Sequence, residues 1–525
     1  MRSWSYLLIA GSLLFPGLPG PAASSTVVPV NDSSCSYSSL WGVNGERWTA
    51  SGRLPDFSYA GYHAGEASLP KPAVRWNLKR DFHAVGDGHT DDTEALSSAL
   101  RTIHDGVLFI PEGSYSISKR IDVTKANVVI RGAGQGRTIL YFPNSLQDLF
   151  GNTARGSQQS QWSFRPGLIN ITGLDPISDN TRLATVTADA RRGDKTLQLS
   201  NPISVKRNEW IRLVQSDPPR DQSNTGSLVK YLYGNLMEPG SDLLGTPNIV
   251  RFLSRVKRSN GRAIELERPL PYDVKLEWSP QIHLFKPAVE EVGIEHLSVR
   301  FPWSPYPGHF REKGYNALFF QSVSHCWVDD VEVQNADFAL DFNSTNFCTI
   351  RNVTLTTSSS RAVNDEARGA SGHHGIDISH GTENLVTNFS IKTRFVHDIS
   401  VEWYALHTVF ANGNGQDLNM DHHREANYSS LFSNLDCGAC TRPFDSGGSA
   451  DRGAHSGAYS TYWNVRGGRA LDLPPRDFGP LLNFVGITSK SDTAWPYQWL
   501  AETGSICPSE LQESMRRKRL EKLKR

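Results

Sequence analysis

Gly86-Asp-Gly-His-Thr-Asp-Asp-Thr93 runs directly into the stretch Glu94–Ile103, and this junction decides the fold class. Clustered Asp and Thr side chains beside two glycines suit a tight turn that opens a helix. Asp92 or Thr93 stands where an N-cap is needed. Glu94–Ile103 reads as the amphipathic helix itself. Next come Val107-Leu-Phe-Ile-Pro-Glu-Gly-Ser-Tyr-Ser-Ile117 and Asn127-Val-Val-Ile-Arg-Gly-Ala-Gly-Gln-Gly-Arg-Thr-Ile-Leu140. Both read as strand, glycine turn, strand.

Further along, the chain repeats itself. Val292-Gly-Ile-Glu-His-Leu-Ser-Val299 aligns with Cys326-Trp-Val-Asp-Asp-Val-Glu-Val333 and with Cys348-Thr-Ile-Arg-Asn-Val-Thr-Leu355. Asn384–Ile391 and Arg394–Val401 continue the pattern less strictly. Apolar residues alternate, so each repeat presents one face inward and stacks on its neighbours. The 22 residues from Cys326 to Cys348 make one coil of a parallel β-helix. The two cysteines then sit one above the other, as a disulfide or as two stacked free thiols. Irregular repeat lengths imply loops on one face, the longest near 155–167, 218–247 and 356–372.

Composition sets the frame. Lys plus Arg equals Asp plus Glu, 54 against 54, so no global charge draws the chain to nucleic acid. Six cysteines in 525 residues are too few for a disulfide-built scaffold. Cys437 and Cys440 form a lone CxxC, which favours a local disulfide over a metal site. Arg2, the apolar run Leu7–Phe15 and the small residues Ala22–Ser24 read as a signal peptide, with an uncleaved anchor as the alternative. The Asn-x-Ser/Thr triplets at Asn31, Asn170, Asn343, Asn352, Asn388 and Asn427 fit a secreted glycoprotein. The expected organisation is a signal peptide over 1–23 and a loop-rich extension over 24–70 packing on the body. A β-helix over 71–485 follows, then a C-terminal extension over 486–525. The latter's basic end, Arg516–Arg519 with Lys522, Lys524 and Arg525, reads as a short solvated helix or a frayed end.

The cap stretch Gly86–Thr93, its helix and Ile110-Pro-Glu-Gly-Ser-Tyr115 resemble the pectate-lyase-like superfamily, in particular proteins of the rhamnogalacturonase/epimerase-like type. The resemblance spans residues 70 to 470 by pattern and the first ~60 of these by motif. It implies an all-β, single-stranded right-handed parallel β-helix with an N-terminal capping helix and long side loops. It also implies a secreted, monomeric protein whose partner is an extracellular polysaccharide, with no nucleic-acid or membrane partner after signal cleavage. Hydrolases, lyases, transferases and phage tailspikes share this fold, so it does not choose the chemistry. Polygalacturonases carry Asn-Thr-Asp, Asp-Asp, Gly-His-Gly and Arg-Ile-Lys. Here Asn-Thr-Asp and Arg-Ile-Lys are absent, Gly372-His-His-Gly375 is not Gly-His-Gly, and Asp329-Asp330 stands without the others.

Half of the 16 histidines fall between His373 and His455. The sharpest constellation there is Asp417-x-x-x-Asp421-His422-His423-Arg424. On a strand, Asp417, Asp421 and His423 share one face, and His422 and Arg424 share the other. Either set can line a groove, but not both. Asp421, His423, Arg424, Asp417 and Asp445 are the catalytic candidates. His373, His374, Arg442, His455 and Trp463 are the substrate-binding candidates. A structural reading competes for each, since Asp and His commonly serve coil turns and Arg424 can pair with a neighbouring Asp.

The imidazole-rich and Arg-rich cluster favours a lyase acting by β-elimination on a uronate polymer. Such an enzyme needs a base beside the uronate carboxylate and a cation on it. A glycoside hydrolase with two of Asp417, Asp421, Asp436 and Asp445 as its carboxylate pair is the alternative. A non-catalytic cell-wall or adhesive β-helix is the second. No resident cofactor is expected. No His-Glu-x-x-His or Cys/His spacing calls for zinc, and calcium at a carboxylate cluster suits the composition better.

Overall fold

The computed structural model describes residues 35–152, 159–174, 177, 179–217, 226–238, 250–489 and 496–524. The signal-peptide stretch, the Asn31 triplet and parts of the loops near 155–167 and 218–247 lie outside the described residues.

The opening motif folds as a cap. Asp87 Oδ1 accepts the backbone N–H groups of His89 and Thr90, each at 2.8 Å. Asp92 accepts those of Val85 and Gly86 at 2.6 and 2.9 Å. The helix Thr93–Thr102 follows and buries Leu96, Ala99 and Leu100. Asp92 holds the N-cap position, but its carboxylate serves the preceding turn rather than the helix N–H groups.

Two parallel ladders form the body. In the first, Gly293 pairs with Trp327, Trp327 with Thr349 and Thr349 with Leu385. The repeats beginning at Val292, Cys326, Cys348 and Asn384 therefore stack in the register read from their sequence. The 22-residue step recurs at Val409↔Leu431 and Thr461↔Asn483. Arg394–Val401 departs from that expectation. Its strand, His397–Glu402, pairs with His374–Ser379 in the second ladder. Both ladders line one core with the same period of two, so alternation alone does not tell them apart.

The second sheet has seven strands, in the order Ile121–Val123, Ile169–Thr172, Asn316–Gln321, Phe338–Asn343, His374–Ser379, His397–Glu402 and Met420–His422. Between the ladders, aromatic rings stack up the core: Phe410 on Phe432 at 5.5 Å, Phe432 on Tyr462 at 5.2 Å, Tyr462 on Phe484 at 5.0 Å. Cys326 and Cys348 are buried free thiols, and Cys437 is bonded to Cys440. Asn388, Asn412, Asn434 and Asn464 follow successive strands of the first ladder with φ of 51–53°. Asparagine tolerates this left-handed turn better than most residues. Asn434 Nδ2 donates to Asn412 Oδ1 at 2.8 Å, so the turns are tied to one another.

Two stretches differ from the expected organisation. The coils do not run uninterrupted over 71–485. Residues 182–284 form an antiparallel sheet of six strands with its own core around Leu213, Phe252, Tyr272 and Trp278. Period-two alternation does not reveal the direction of a partner strand, which is why this module reads like more coil. A buried pair, Arg268 with Glu383, ties it to the helix at 2.5 Å. The basic C-terminal stretch is a helix with Arg517, Lys522 and Lys524 exposed, but one face of it is packed rather than solvated. Leu511 and Met515 of the helix Leu511–Leu523 pack with Trp41, Leu54 and Phe57 over Val409, Leu431, Trp463 and Val485. Arg519 meets Glu66 at 2.7 Å and the Ser58 carbonyl at 2.9 Å.

Among the described Asn-x-Ser/Thr sites, Asn352 and Asn388 are exposed, whereas Asn170, Asn343 and Asn427 are buried and closed to a glycan in the folded chain. No helix among the described residues is long and apolar enough to cross a membrane. With the outer face of the first sheet covered by both extensions, the second sheet carries the polar outward row.

Candidate functional site

Register builds the site. Phe319, Asp341, Asp377, Ser400 and Asp421 pair in succession across the second sheet. Asn343, Ser379 and Glu402 form the next column, and Phe338, His374 and His397 the one before. Leu340, Ile376, Ile378, Ile399 and Met420 fill the core between them. The alternation that builds the core thus brings four chain-distant acids, Asp341, Asp377, Glu402 and Asp421, to one face, with His374 and His397 opening two of these strands.

Asp421 is the anchor. It is fully buried, and Oδ1 accepts the Gly447 N–H at 2.8 Å. Oδ2 accepts from Ser400 Oγ at 2.9 Å, lies 2.8 Å from His423 Nδ1, and lies 3.1 Å from His397 Nδ1. Burial opposes its ionisation, but the His397 and His423 rings outweigh it and hold the carboxyl well below its ordinary range. Burial likewise opposes protonation of His423, yet Asp421 outweighs it and moves this imidazole up. Gly447 closes over the pair, and a Cβ there would stand 2.5 Å from Cε1 of both His397 and His423.

Three more imidazoles adjoin. His373 Nε2 is 2.9 Å from His309 Nε2, and His374 packs against Phe338 at 4.7 Å and His397 at 4.7 Å. Burial depresses His373 and His374 far below the ordinary histidine range. Burial, then the His397 and His423 charges, bring His309 down to about 4. The exposed Phe164 ring covers His373 at 5.5 Å.

Arg165 supplies the cation on this face. Its guanidinium lies 2.8 Å from Asp341 Oδ2, 2.6 Å from Ser379 Oγ, 3.9 Å from Asp377 Oδ2 and 3.8 Å from Glu402 Oε1. Burial pushes Asp341 up to about 6 in spite of Arg165. Burial with Glu402 and Asp341 pushes Asp377 well above its ordinary value. Arg165 itself moves upward, since three carboxyls outweigh its burial. These shifts describe one shared charge. One guanidinium is shared among several carboxyls, and Asp341 and Asp377 both titrate above their ordinary range. The carboxylates that suited calcium by composition thus converge on a guanidinium.

The residues singled out from sequence separate into groups. Asp421, His423, His373 and His374 converge. Asp417 does not join them. It accepts from Thr441 N and Oγ1 at 2.6 and 2.5 Å and faces Arg394 and Arg442, partners it does not share with Asp421. With Lys392, Arg394 and Gln416 it lines a separate polar cavity of about 520 Å³. Arg442 is committed to Asp398 at 2.6 Å and to the Phe395 and Val396 carbonyls. Asp445 and His455 line a second cavity of about 240 Å³ beside Arg442. Arg424 is held by the Gly448 and Gly453 carbonyls and by His455 Nε2 at 3.2 Å. Trp463 is sealed beneath the C-terminal segment, with Nε1 donating to the Pro508 carbonyl at 2.7 Å, so it cannot contact a substrate here. His422 points into the core, 2.9 Å from Tyr462 Oη and 2.7 Å from Asn427 Oδ1.

Sequence reasoning passed over Arg165, His309, Asp341, Ser400 and Glu402, and left His397 and Asp377 unassigned. One signal was present. Ala339-Leu-Asp-Phe342, Gly375-Ile-Asp-Ile378 and Asn419-Met-Asp-His422 place an Asp at the same step of an alternating strand.

Residues 76–243 match the family described as Rhamnogalacturonase A/epimerase, pectate lyase-like. That span holds the cap and Arg165 and ends before His309. Alginate lyase 7 of Azotobacter vinelandii is 32% identical over 117 residues, which is 21% of this chain and 13% of that protein. Mannuronan C5-epimerase AlgE5 of the same organism is 34% identical over 118 residues, 20% and 11% of the two chains. The chain thus matches little more than a tenth of the length of these relatives. The alginate lyase structure from Paenibacillus sp. str. FPU-7 superposes over 80% of this chain and 94% of its own, with 8% identity and a TM-score of 0.37. The stacked parallel ladders make this chain a parallel β-helix, and its cap-bearing stretch, residues 76–243, matches the pectate-lyase-like family model.

Proposed function

We propose that this chain is an extracellular enzyme that modifies a uronate-containing polysaccharide by removing the proton beside the uronate carboxylate. One observation carries the reading: the buried Asp421 carboxylate holds His423 Nδ1 at 2.8 Å, on the face that also bears Arg165. A carboxylate on Nδ1 orients the ring and leaves Nε2 to take a proton. Arg165 stabilises the negative charge that develops on the uronate carboxylate as its α-carbon is deprotonated. Asp377, whose carboxyl is raised well above its ordinary value, offers a proton that a departing glycosidic oxygen, or the carbanion itself, can take.

Two outcomes branch from that carbanion. Loss of the 4-linked oxygen gives an unsaturated uronate and a cut chain. Reprotonation on the opposite face gives the epimer. Relatives named as an alginate lyase and as mannuronan C5-epimerases support this shared first step. Elimination is the favoured branch, since the raised carboxyl of Asp377 lies on the same face as the base. Hydrolysis through an Asp417–Asp421 pair is disfavoured by their separate partners.

The experiment is incubation of the secreted protein in D2O with alginate, pectate and glucuronan. Unsaturated-uronate absorbance identifies a lyase. Deuterium at C5 without absorbance identifies an epimerase. New reducing ends with neither signal, or no product from any polymer, overturn the reading. His423→Ala should abolish whichever signal appears.

A further inference from the structure

Three imidazoles face one another in a way hydrogen bonding alone does not account for. His373 Nδ1 lies 2.9 Å from the Ser163 carbonyl oxygen, so this nitrogen carries the proton and Nε2 is left with a lone pair. That lone pair points at His309 Nε2, 2.9 Å away. His397 is 5% exposed; its Nδ1 lies 3.1 Å from Asp421 Oδ2, while among the described residues its Nε2 has no hydrogen-bond partner. One ring nitrogen from each of His309, His373 and His397 falls within 4.8 Å of the others. An unpartnered polar atom buried at this depth costs on the order of 1–3 kcal/mol unless something occupies the space between.

We propose that His309, His373 and His397 form a three-imidazole site for a divalent transition ion of the zinc class. Donor chemistry selects the class. Imidazole suits zinc, copper, nickel and ferrous iron, whereas calcium and magnesium take oxygen ligands. The surroundings match how such ligands are held. A metal-bound histidine hands its other ring N–H to a carbonyl or carboxylate. His373 Nδ1 has the Ser163 carbonyl, and His397 Nδ1 has Asp421 Oδ2 at 3.1 Å. Three protein ligands leave a fourth position for water or substrate. The ligands come from a loop, from the residue just before the strand His374–Ser379 and from the first residue of the strand His397–Glu402, so their chain spacing resembles no short zinc motif. This site goes beyond the uronate reading and does not depend on it.

The test uses the full-length secreted protein, stripped with a chelator and titrated with zinc chloride and, separately, cobalt chloride. One zinc per chain is expected by elemental analysis after dialysis. The cobalt form should show the intense visible bands of a tetrahedral nitrogen-ligated ion. His373→Ala with His397→Ala should remove both signals, while His380→Ala, whose ring stacks on Trp403 outside the cluster, should keep them. Asp421→Asn should weaken zinc binding by about 10–100-fold. Circular dichroism checks that each variant folds. The wild-type cobalt spectrum needs no variant, so a misfolded mutant leaves the question answerable. Substoichiometric zinc with no tetrahedral cobalt spectrum overturns the site, as does zinc binding that survives in the folded double variant. No polysaccharide enters these measurements, so failure of the uronate reading and failure of the metal site are separately visible.

Discussion

Asp421 Oδ2 meets His423 Nδ1 at 2.8 Å on the outer face of the second sheet, while the residue between them, His422, enters the core. Neighbouring histidines on one strand therefore answer to different physics. One is held by a buried carboxylate on the outer face, and the other is part of the aromatic stack.

His422→Ala and His423→Ala should separate these roles. Removing His422 opens a cavity beside Phe432 and Phe478 and strips Tyr462 Oη and Asn427 Oδ1 of a partner. A loss of about 3 kcal/mol in denaturant unfolding is expected. His423→Ala should cost less stability and remove catalysis. Equal destabilisation of both variants would argue against the division of faces.

Gly447 offers a second test of the same constellation. Its close approach to the rings leaves no space for a methyl group. Gly447→Ala should push the His397 and His423 rings from Asp421 and cost about 1–3 kcal/mol by overpacking. Activity should fall more steeply than the melting temperature. A fully active Gly447→Ala enzyme would show that neither ring position matters to turnover.

Asp341 gives a pH signature. Its folded-state value of about 6 lies above the ordinary 3.8 of an aspartate. Between about pH 4 and 6 the folded chain keeps a proton that the unfolded chain has released, so this group makes stability fall as pH rises through that window. The shift of about two units bounds the effect at about 3 kcal/mol. Asp341→Asn removes the titration. Its melting temperature relative to wild type should therefore climb from pH 4 to pH 7 and level off above. A flat difference would place Asp341 in ordinary ionised form.

Thiol accounting tests the core. Cys326 and Cys348 are buried and free, Cys437 is bonded to Cys440, and Cys35 and Cys507 are each disulfide-bonded. An alkylating reagent should modify no cysteine in the native protein and Cys326 and Cys348 after denaturation without reductant. Peptide mapping that recovers those two residues as a disulfide would overturn the free-thiol arrangement.

The first ladder was legible because Val292, Cys326, Cys348 and Asn384 open segments that share both register and composition. The cap was legible because turn and helix-start residues are dictated locally. The site was only half legible. Asp421 and His423 stand out through their cluster, but Arg165 and His309 arrive from loops whose path no periodicity records. Asp417 is four residues from Asp421 in sequence and faces other partners, because the chain leaves the strand alternation before Met420. Trp463 has the composition of a sugar platform, yet its outward side is the one the chain ends cover. No zinc spacing was visible because the imidazoles line up across coils rather than along the chain.

The asparagine ladder has a consequence for how this molecule can vary. Each of Asn388, Asn412, Asn434 and Asn464 closes its own coil with the same left-handed turn and hands an identical edge to the next. A whole coil ending on such an asparagine can therefore be gained or lost without renegotiating its neighbours. Each such event would change the length of the second sheet's outer face by about 4.8 Å, the spacing between strands. The outer face of the second sheet would then lengthen or shorten in discrete steps, set by how many coils the chain has accumulated.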